Sequence, residues 1–388
     1  MPSTIWHIGG EDIRLRIPLL QILREKGFKV GAVGSESGHS FKNYGIDYYY
    51  YPLAKGLNPL ADLRSICSLK NLFRNHPVDI VHAFDTKPAF LVPLAANNSK
   101  KQCVARTIPG LGSLFSSRSP YALALRPIYC YLQRNGSRLS DITIFQNRQD
   151  AAHYLDHKMV SNSKHRIIFG SGVDLNNFTR VRIDEAKIAA LRQELNIRNR
   201  IVVILVARII PYKGIEEYLE SAQIIIAHHP DTCFLLVGPP GSNARQLILQ
   251  KKIDRFSSSV KYLGPRQDVK ELFAIADICV LPSYYREGIP RVLLEAGSLG
   301  LPLITTDMPG CRDVVKHEWN GLLVPPRNKW ALASAIENLI LDTDKRKIMG
   351  KRSQRYVGNK FSLEKISREH AELYRELLER KLGRIKPG

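Results

Sequence analysis

The chain has few cysteines, no long apolar run and no signal-peptide pattern at its start. Its six cysteines form no C-x-x-C pair and lie mostly in apolar runs, so we expect buried thiols in a reducing compartment, not disulfides or zinc ligands. The apolar runs fall far short of the roughly 20 residues that a membrane-spanning helix needs. These absences predict a soluble, unexported globular protein.

Acidic residues are absent from one long stretch. Between Asp85 and Asp141 there is no acid, whereas eight Lys and Arg residues occur there, in a chain whose net charge is +21. Such an excess predicts a polyanionic partner: a nucleic acid, an anionic membrane surface or a phosphorylated substrate. No stacked aromatic platform or recognition-helix pattern favours nucleic acid. Aromatic residues alternate with arginines over residues 114–136, which favours a segment lying on an anionic bilayer; a buried crossover helix with a basic solvent edge is the alternative.

Short apolar runs alternate with longer amphipathic ones along the chain, without internal repeats. This rhythm predicts an α/β fold of two doubly wound parallel-sheet domains. A glycine-containing, non-periodic segment at 166–178 is interpreted as a hinge between domains at 1–165 and 179–360. Residues 361–388 are read as a long charged helix that returns to the first domain. Ligands of such sheets bind at the carboxyl ends of the strands, so we expect a cleft lined by both sets of strand ends.

Two glutamates, Glu287 and Glu295, stand eight positions apart around the predicted start of a helix near Pro290. On a helix this spacing separates the two carboxylates by about 12 Å along the axis, so they cannot grip the same atom. They can hold two ends of one elongated ligand whose anionic centre faces the helix N-terminus. A nucleotide sugar has this layout. The alternative is an ordinary pair of surface charges on an amphipathic helix.

The sequence segments around these glutamates, together with others along the chain, resemble a known family. The segments EGIPRVLLEA, GLPLITTDMPGCRDVV, NGLLVPP, GSGVDLNNF, ARIIPYKG and LGPRQDV together resemble the retaining glycosyltransferases of the two-Rossmann-domain (GT-B) class, whose signature is E-x7-E. IPGLGSLF and IFQNRQD look like the branch of that class that builds oligosaccharides on polyprenyl diphosphate. The resemblance extends over nearly the whole chain and implies a GT-B fold.

Roles on the donor side follow from this resemblance. It implies that Glu287 faces the donor sugar hydroxyls, that Glu295 faces the ribose, and that Arg208 and Lys213 clasp the diphosphate. Independently of the family, a strand followed by a loop with an Arg and a Lys five apart and then a helix is a good phosphate trap; solvated loop charge is the alternative. The start of the helix adds Gly288, Ile289, Pro290 and Arg291 to the expected donor-binding set.

In the first domain, Gly9 and Gly10 match a loop whose small residues let the backbone approach the transferred sugar; a simple turn is the alternative. His82 is a candidate for contacting the donor sugar or the acceptor. Relatives often have H-x-H here, but this chain has Phe84 at the second position, and a strand histidine bonded within the fold is the alternative. Lys87 is a candidate partner for the acceptor diphosphate.

The resemblance further implies a retaining sugar transfer from a nucleoside-diphosphate sugar, with uridine as the expected base, to a polyprenyl-diphosphate-linked saccharide. Basic residues would take the place of a metal, and no cofactor is expected. The D-x-D at Asp342 and Asp344 follows a predicted helix and lies far from any strand end, so we do not expect it to bind a metal. The expected location is cytoplasmic, peripheral on the inner face of the plasma membrane, through the basic region 100–138. The alternatives are a GT-B transferase or a nucleotide-sugar epimerase that uses no lipid acceptor.

Overall fold

Parallel strands alternate with helices throughout the computed structural model, which describes residues 2–10, 12–54, 56–97, 102–197, 199–241 and 244–383. The chain divides into two compact units, one formed by Met1–Gly172 with Leu363–Gly388 and the other by Val173–Ser362. The first crossing between the units falls inside the segment interpreted as a hinge. Lys100 and Lys101 of the basic region lie outside the described residues.

The first unit is built on a seven-stranded parallel sheet in the order β3-β2-β1-β4-β5-β6-β7. Its strands are β1 (Thr4–Ile8), β2 (Lys29–Gly34), β3 (Asp47–Tyr50), β4 (Ile80–Phe84), β5 (Cys103–Ile108), β6 (Ile142–Phe145) and β7 (His165–Ile167). Its helices up to β7 are α1 (Ile17–Glu25), α2 (His39–Lys42), α3 (Pro59–Asn75), α4 (Pro88–Ala96), α5 (Gly112–Ser116), α6 (Pro120–Arg138) and α7 (Arg148–Asp156).

Both faces of this sheet are buried. Ile5 packs in a cluster with α1, whereas its neighbours Trp6 and Ile8 pack on the opposite face with α3 and α4. Side chains alternate between the faces of a strand, so a sheet covered on both faces needs apolar residues at consecutive positions. This is why the strands read as nearly continuous apolar runs.

The second unit is built on a six-stranded parallel sheet in the order β10-β9-β8-β11-β12-β13. Its strands are β8 (Ile201–Val206), β9 (Thr232–Val237), β10 (Val260–Tyr262), β11 (Ile278–Leu281), β12 (Leu303–Thr306) and β13 (Gly321–Val324). Its helices are α8 (Glu185–Glu194), α9 (Ile215–His228), α10 (Ala244–Arg255), α11 (Val269–Ile275), α12 (Arg291–Ser298), α13 (Cys311–Val314), α14 (Lys329–Leu341) and α15 (Thr343–Phe361).

The described part of the terminal charged segment forms a single helix, as predicted. Ser362 adopts an extended conformation between α15 and the last helix, α16 (Leu363–Lys381). α16 falls in the first unit, where Ile366, Tyr374 and Leu377 join the core that α1 covers. All six cysteines are free thiols and four of them are buried. Within the described residues, no helix combines the length and apolar character needed to cross a bilayer.

Candidate active site

The loops that follow β8 and β11 meet at the point where the strand order of the second sheet reverses. From β8 the chain proceeds outward to β9 and β10, and from β11 it proceeds to β12 and β13 on the other side. Open parallel sheets bind ligands beyond the carboxyl ends of the two strands at such a switch point. Lys213 lies in a short 3₁₀ turn after β8, and Glu287 lies in the loop between β11 and α12.

Lys213 and Glu287 form a largely buried ion pair. The Lys213 Nζ lies 2.7 Å from Glu287 Oε1, and the side chains are only 12% and 13% exposed. The Ser283 hydroxyl donates a second hydrogen bond, of 2.8 Å, to the same carboxylate oxygen. A charged pair withdrawn from water needs such additional hydrogen bonds to offset its lost hydration. The structure therefore brings together two residues that are 74 positions apart and that the sequence analysis assigned to one ligand.

Two glycines hold these loops in place. Gly214, at the start of α9, has a φ of +73°, and a Cβ there would lie 2.1 Å from the Pro282 carbonyl oxygen. Gly310 has a φ of +79°, and its Cβ would lie 1.8 Å from the Gly288 carbonyl oxygen. Only glycine combines this backbone conformation with so close an approach. The loop that carries Glu287 is thus clamped by backbone contacts on both sides.

The start of α12 lies directly after this loop. Its N-cap residue is Pro290, and no side chain caps it. Leu293 and Leu294 donate their N–H groups to the Pro290 carbonyl oxygen. The partial positive charge of a helix N-terminus favours an anion at such a position. Gly288, Ile289 and Pro290 are buried and shape the entry to the helix.

Glu295 lies one turn into α12 and pairs with Arg291, whose Nε is 3.1 Å from Glu295 Oε1. The Glu295 side chain is only 15% exposed, and burial raises its pKa while Arg291 opposes that change. Glu295 therefore differs from the solvated surface charge of the alternative interpretation, because a glutamate on an exposed helix face is not withdrawn from water. Arg291 is more exposed, at 39%, and can leave the pair without a large packing loss.

Arg208 is the outermost cation of the same loop. It is exposed, and its guanidinium forms no ion pair or hydrogen bond with the part of the chain that the structure describes. Its neighbour Ile209 is buried and hydrogen-bonds to Pro239, which fixes the backbone of the loop. Arg208 is thus positioned by its backbone, and its side chain is available to a ligand.

The first sheet has a switch point of its own, between β1 and β4, and Gly9 and Gly10 lie in the loop after β1. Asp85, the residue directly after β4, accepts a 3.4 Å hydrogen bond from the Gly10 N–H. Its φ is +76°, a strained left-handed conformation for a residue other than glycine. Burial raises the pKa of Asp85, whereas the nearby Arg16 opposes that rise. Asp85 is not among the site residues predicted from the sequence. Its position directly after a predicted buried strand is the feature that could have indicated it.

His82 lies inside the first unit and not at its surface. It is fully buried, its Nδ1 lies 2.5 Å from the Tyr374 hydroxyl of α16, and its Nε2 lies 2.8 Å from Thr107 Oγ1. The same Tyr374 hydroxyl lies 2.9 Å from Nε2 of His7. Both ring nitrogens of His82 are thus engaged within the fold. This geometry favours the alternative of a bonded strand histidine over direct contact with a sugar.

One cation of the basic region 100–138, Arg106, is internal, although the region was predicted to lie on a membrane surface. Arg106 lies in β5, is fully buried and donates to Thr143, Gln133 and the Ala89 carbonyl. Burial lowers the pKa of Arg106 to about 10. The physical reason is that β5 is an inner strand of a sheet covered on both faces.

Lys87 is also engaged within the first unit. Its Nζ lies 2.5 Å from Asp62 Oδ1 and donates to the carbonyl oxygens of Ala54 and Gly56. Of the D-x-D residues, Asp342 accepts a 2.8 Å hydrogen bond from the Lys345 N–H as the N-cap of α15. Asp342 thus has a structural role as a helix cap.

The comparisons with known proteins bear on the family and the fold. Residues 187–356 match the family described as Glycosyl transferases group 1, so the second unit contains a glycosyltransferase domain. The chain has the GT-B fold, and the resemblance to GT-B enzymes of polyprenyl-diphosphate-linked saccharide synthesis is confirmed.

Three similar proteins indicate the extent of the likeness. An N,N'-diacetylbacillosaminyl-diphospho-undecaprenol alpha-1,3-N-acetylgalactosaminyltransferase of Campylobacter jejuni is 26% identical over 87% of this chain and 88% of its own length. A UDP-Gal:alpha-D-GlcNAc-diphosphoundecaprenol alpha-1,3-galactosyltransferase of Escherichia coli is 27% identical over 94% of this chain and 93% of its own. The crystal structure of Anabaena Alr3699/HepE in complex with UDP and glucose superposes with a TM-score of 0.80 at 20% identity, covering 96% of this chain and 100% of that one.

Proposed function

We propose that this glycosyltransferase moves a sugar, a hexose or an N-acetylhexosamine, from a UDP-sugar to a polyprenyl-diphosphate-linked saccharide. The observation that carries the proposal is the Lys213–Glu287 pair at the switch point of the second sheet, beside the uncapped start of α12. The two curated relatives described above support the acceptor class, since both names specify an undecaprenyl diphosphate. The product would serve surface polysaccharide or glycan synthesis.

The donor diphosphate is proposed to lie between Arg208, Lys213 and the start of α12. When it binds, the Lys213 ammonium exchanges the Glu287 carboxylate for a phosphate oxygen, because the diphosphate carries more charge and accepts charge-assisted hydrogen bonds. Glu287 then becomes available to accept hydrogen bonds from the sugar hydroxyls. Glu295, held by Arg291 one turn along the helix, receives the ribose hydroxyls.

The reaction is proposed to retain the anomeric configuration and to need no metal. As the bond between the sugar and the diphosphate breaks, negative charge develops on the leaving phosphate. Fixed cations and the helix N-terminus stabilise that charge without reorganisation, which is the main electrostatic contribution to such catalysis. An oxygen of the leaving phosphate accepts the proton of the incoming hydroxyl on the same face of the sugar. The protein then positions the two substrates and supplies positive charge.

The first unit is proposed to hold the acceptor and to lie on the inner face of the membrane. The loop of Gly9 and Gly10 would lie against the transferred sugar, and Asp85, whose Oδ2 lies within 4 Å of the place of a Cβ on either glycine, would accept a hydrogen bond from an acceptor hydroxyl. His82 would act by fixing β4, the strand that carries Asp85. The exposed cations of the basic region 100–138, Arg138 among them, would provide the charge that faces anionic lipids.

The function is tested with the purified protein and synthetic polyprenyl-diphosphate-linked saccharides. We expect UDP-sugars to raise the melting temperature, because a ligand that binds only the folded form stabilises it. We expect transfer to persist in EDTA and the product to keep the donor's anomeric configuration, as read from NMR coupling constants. Lys213→Ala and Glu287→Ala should each abolish transfer. A donor that is epimerised, or transferred only to soluble acceptors, would establish one of the lipid-independent alternatives.

A further inference from the structure

A basic pocket of about 620 Å³ lies in the first unit between the ends of α6 and α7 and the segment that leads into β7. Four cations line it, Arg134, Arg138, Lys158 and Lys164, against a single acid, Asp156. We propose that this pocket binds the phosphate of an anionic lipid headgroup and so anchors the enzyme to its membrane. This inference extends the membrane contact of the proposed function to a specific site.

Hydrogen bonds to backbone carbonyl oxygens, most of them from side chains, fix the walls of the pocket. Arg134 of α6 donates through Nε and Nη2 to the carbonyl oxygens of Lys158 and His157, both at 3.0 Å. Lys158 itself has a φ of +52°, and the chain is turned there by a 2.8 Å hydrogen bond from the Met159 N–H to the Tyr154 carbonyl. Lys164 donates to the Ser140 carbonyl at 2.9 Å. These contacts join the three segments, so the pocket is preformed.

Two of the cations have no internal partner. Arg138 and Lys158 are exposed, and neither side chain makes an ion pair or hydrogen bond within the described ranges of the chain. Ser137 and Ser161 add hydroxyl donors to the lining. Cations together with hydroxyl donors are the groups that bind phosphate through charge-assisted hydrogen bonds. The chemistry of the lining therefore specifies an anion with several acceptor oxygens.

An apolar stripe leads along α6 to this pocket. Tyr121, Ile128 and Tyr131 recur at helical spacing on the solvent side of the helix and are 73%, 46% and 63% exposed. Arg138 follows Tyr131 by seven residues, two turns along the same side. Exposed aromatic and aliphatic side chains that end in cations are typical of helices in the interfacial region of a bilayer. A free phosphate ion has no apolar part that could contact this stripe. A lipid, which carries a phosphate beside acyl chains, matches both the stripe and the pocket.

The pocket is distinct from the candidate active site of this unit. α6 connects the carboxyl end of β5 to the start of β6, so its last residues lie at the amino edge of the parallel sheet. Gly10 and Asp85 follow the carboxyl ends of β1 and β4, at the opposite edge. A ligand in the pocket therefore acts as an anchor and not as a substrate.

The test is binding of the full chain to phospholipid vesicles without any sugar donor. The pocket variant is Arg138→Gln with Lys158→Gln, and the control is Lys29→Gln with Lys42→Gln, which removes the same charge from exposed positions on β2 and α2. Each lysine or arginine near an anionic surface contributes about fivefold to binding, so the pocket variant should bind phosphatidylglycerol vesicles about 25-fold more weakly. The control should bind nearly as the unmodified protein does.

Two further experiments distinguish a lipid headgroup from a soluble phosphate ester as the occupant of the pocket. Tyr131→Ser with Ile128→Ser should also weaken vesicle binding, because it removes the apolar part of the surface. Glycerol 3-phosphate in solution should protect the protein against thermal unfolding much less than vesicles do. The proposal is overturned if both charge variants lose binding equally, or if glycerol phosphate binds the pocket while anionic vesicles do not. UDP binding, measured separately on the same variants, keeps this outcome distinct from a failure of the proposed function.

Discussion

The Lys213–Glu287 pair allows a quantitative test of the candidate site through double-mutant stability. The two charged atoms are 2.7 Å apart and both side chains are nearly buried. Replacing Lys213 with methionine removes the counter-charge of the Glu287 carboxylate, while the hydrogen bond from the Ser283 hydroxyl stays in place. Replacing Glu287 with glutamine leaves the Lys213 ammonium without its counter-charge. Replacing both removes the two charges together and keeps the approximate volume.

The expected magnitudes follow from the cost of an uncompensated buried charge. Breaking a fully buried pair costs about 3–5 kcal/mol, and the residual exposure here reduces this to about 2–4 kcal/mol for either single variant. A loss of 3 kcal/mol in a unit of this size lowers Tm by about 6–12 °C. The double variant should recover most of the loss, because no unpaired charge remains. With only about 1 kcal/mol lost in the double variant, the coupling energy should therefore be about 3–7 kcal/mol in magnitude.

The assay is urea unfolding of the four proteins of this cycle, with sugar transfer measured in parallel. Lys252 and Glu216 provide the control cycle, since they lie 2.6 Å apart in the same unit but are about 40% exposed. Their coupling should stay below about 1 kcal/mol. The double variant at the candidate site should regain stability and remain inactive. Additive effects at the candidate site, within about 0.5 kcal/mol, would refute the buried pair, and an active double variant would refute its role in transfer.

Three further predictions concern the first unit and the clamped loop. Burial lowers the pKa of His7, His82 and His370, the last to about 3, so the unfolded state binds more protons below about pH 6.5. Stability should fall by about 1.4 kcal/mol per histidine between pH 8 and 5.5, as measured by urea unfolding. Asp85→Gly removes the strain of a left-handed residue, so the free energy of unfolding should stay the same or rise by up to about 1 kcal/mol. Transfer to the acceptor should fall. Gly310→Ala should cost more than about 3 kcal/mol and weaken UDP binding, because its Cβ would meet the Gly288 carbonyl at 1.8 Å.

Matched variants isolate the cause in each case. His39→Gln changes an exposed histidine and should leave the acid sensitivity intact, whereas an unchanged stability between pH 8 and 5.5 would contradict the neutral cluster. Asp85→Asn keeps the left-handed preference and the shape, so full transfer by this variant would remove the proposed role of the carboxylate. Gly264 has a φ of +67°, and a Cβ there would meet open space. Gly264→Ala should therefore lower the free energy of unfolding by only about 1 kcal/mol. Equal losses in the free energy of unfolding for the Gly264 and Gly310 variants would refute the close backbone contact between Gly310 and Gly288.

Most strands could be predicted because both faces of each sheet are covered. Residues 201–206 are apolar at every position and residues 233–237 are apolar after Thr232, and the structure places β8 and β9 there. β5 was not predicted. Its sequence, CVARTI, contains Arg106 and lies in the basic stretch, so the local composition suggested a surface. The last helix was predicted from residue 361, and the structure begins α16 at Leu363, after Ser362, whose extended conformation accompanies a pairing with Val173.

The candidate donor site could be predicted from motif spacing, but its internal contacts could not. The sequence analysis assigned Lys213 to the diphosphate and Glu287 to the sugar, on loops far apart in the chain. That the two side chains pair with one another follows only from the adjacency of β8 and β11 in the sheet. The strain at Asp85 is likewise a tertiary property, since the left-handed conformation of a single residue leaves no periodic signal.

The basic stretch shows why a count of charges along the chain does not define a surface. Arg106 is buried, Lys87 pairs with Asp62, and Arg126 donates to the carbonyl oxygens of Ser117 and Leu114. Lys158 and Lys164, which line the pocket, lie beyond the stretch that the count singled out. The first sheet buries Arg106 on an inner strand and brings helix ends from distant positions together at one edge, so the cations proposed to face a membrane lie at that edge. If binding follows that edge, neutralising Arg138 alone must weaken vesicle binding more than neutralising Arg126 alone does.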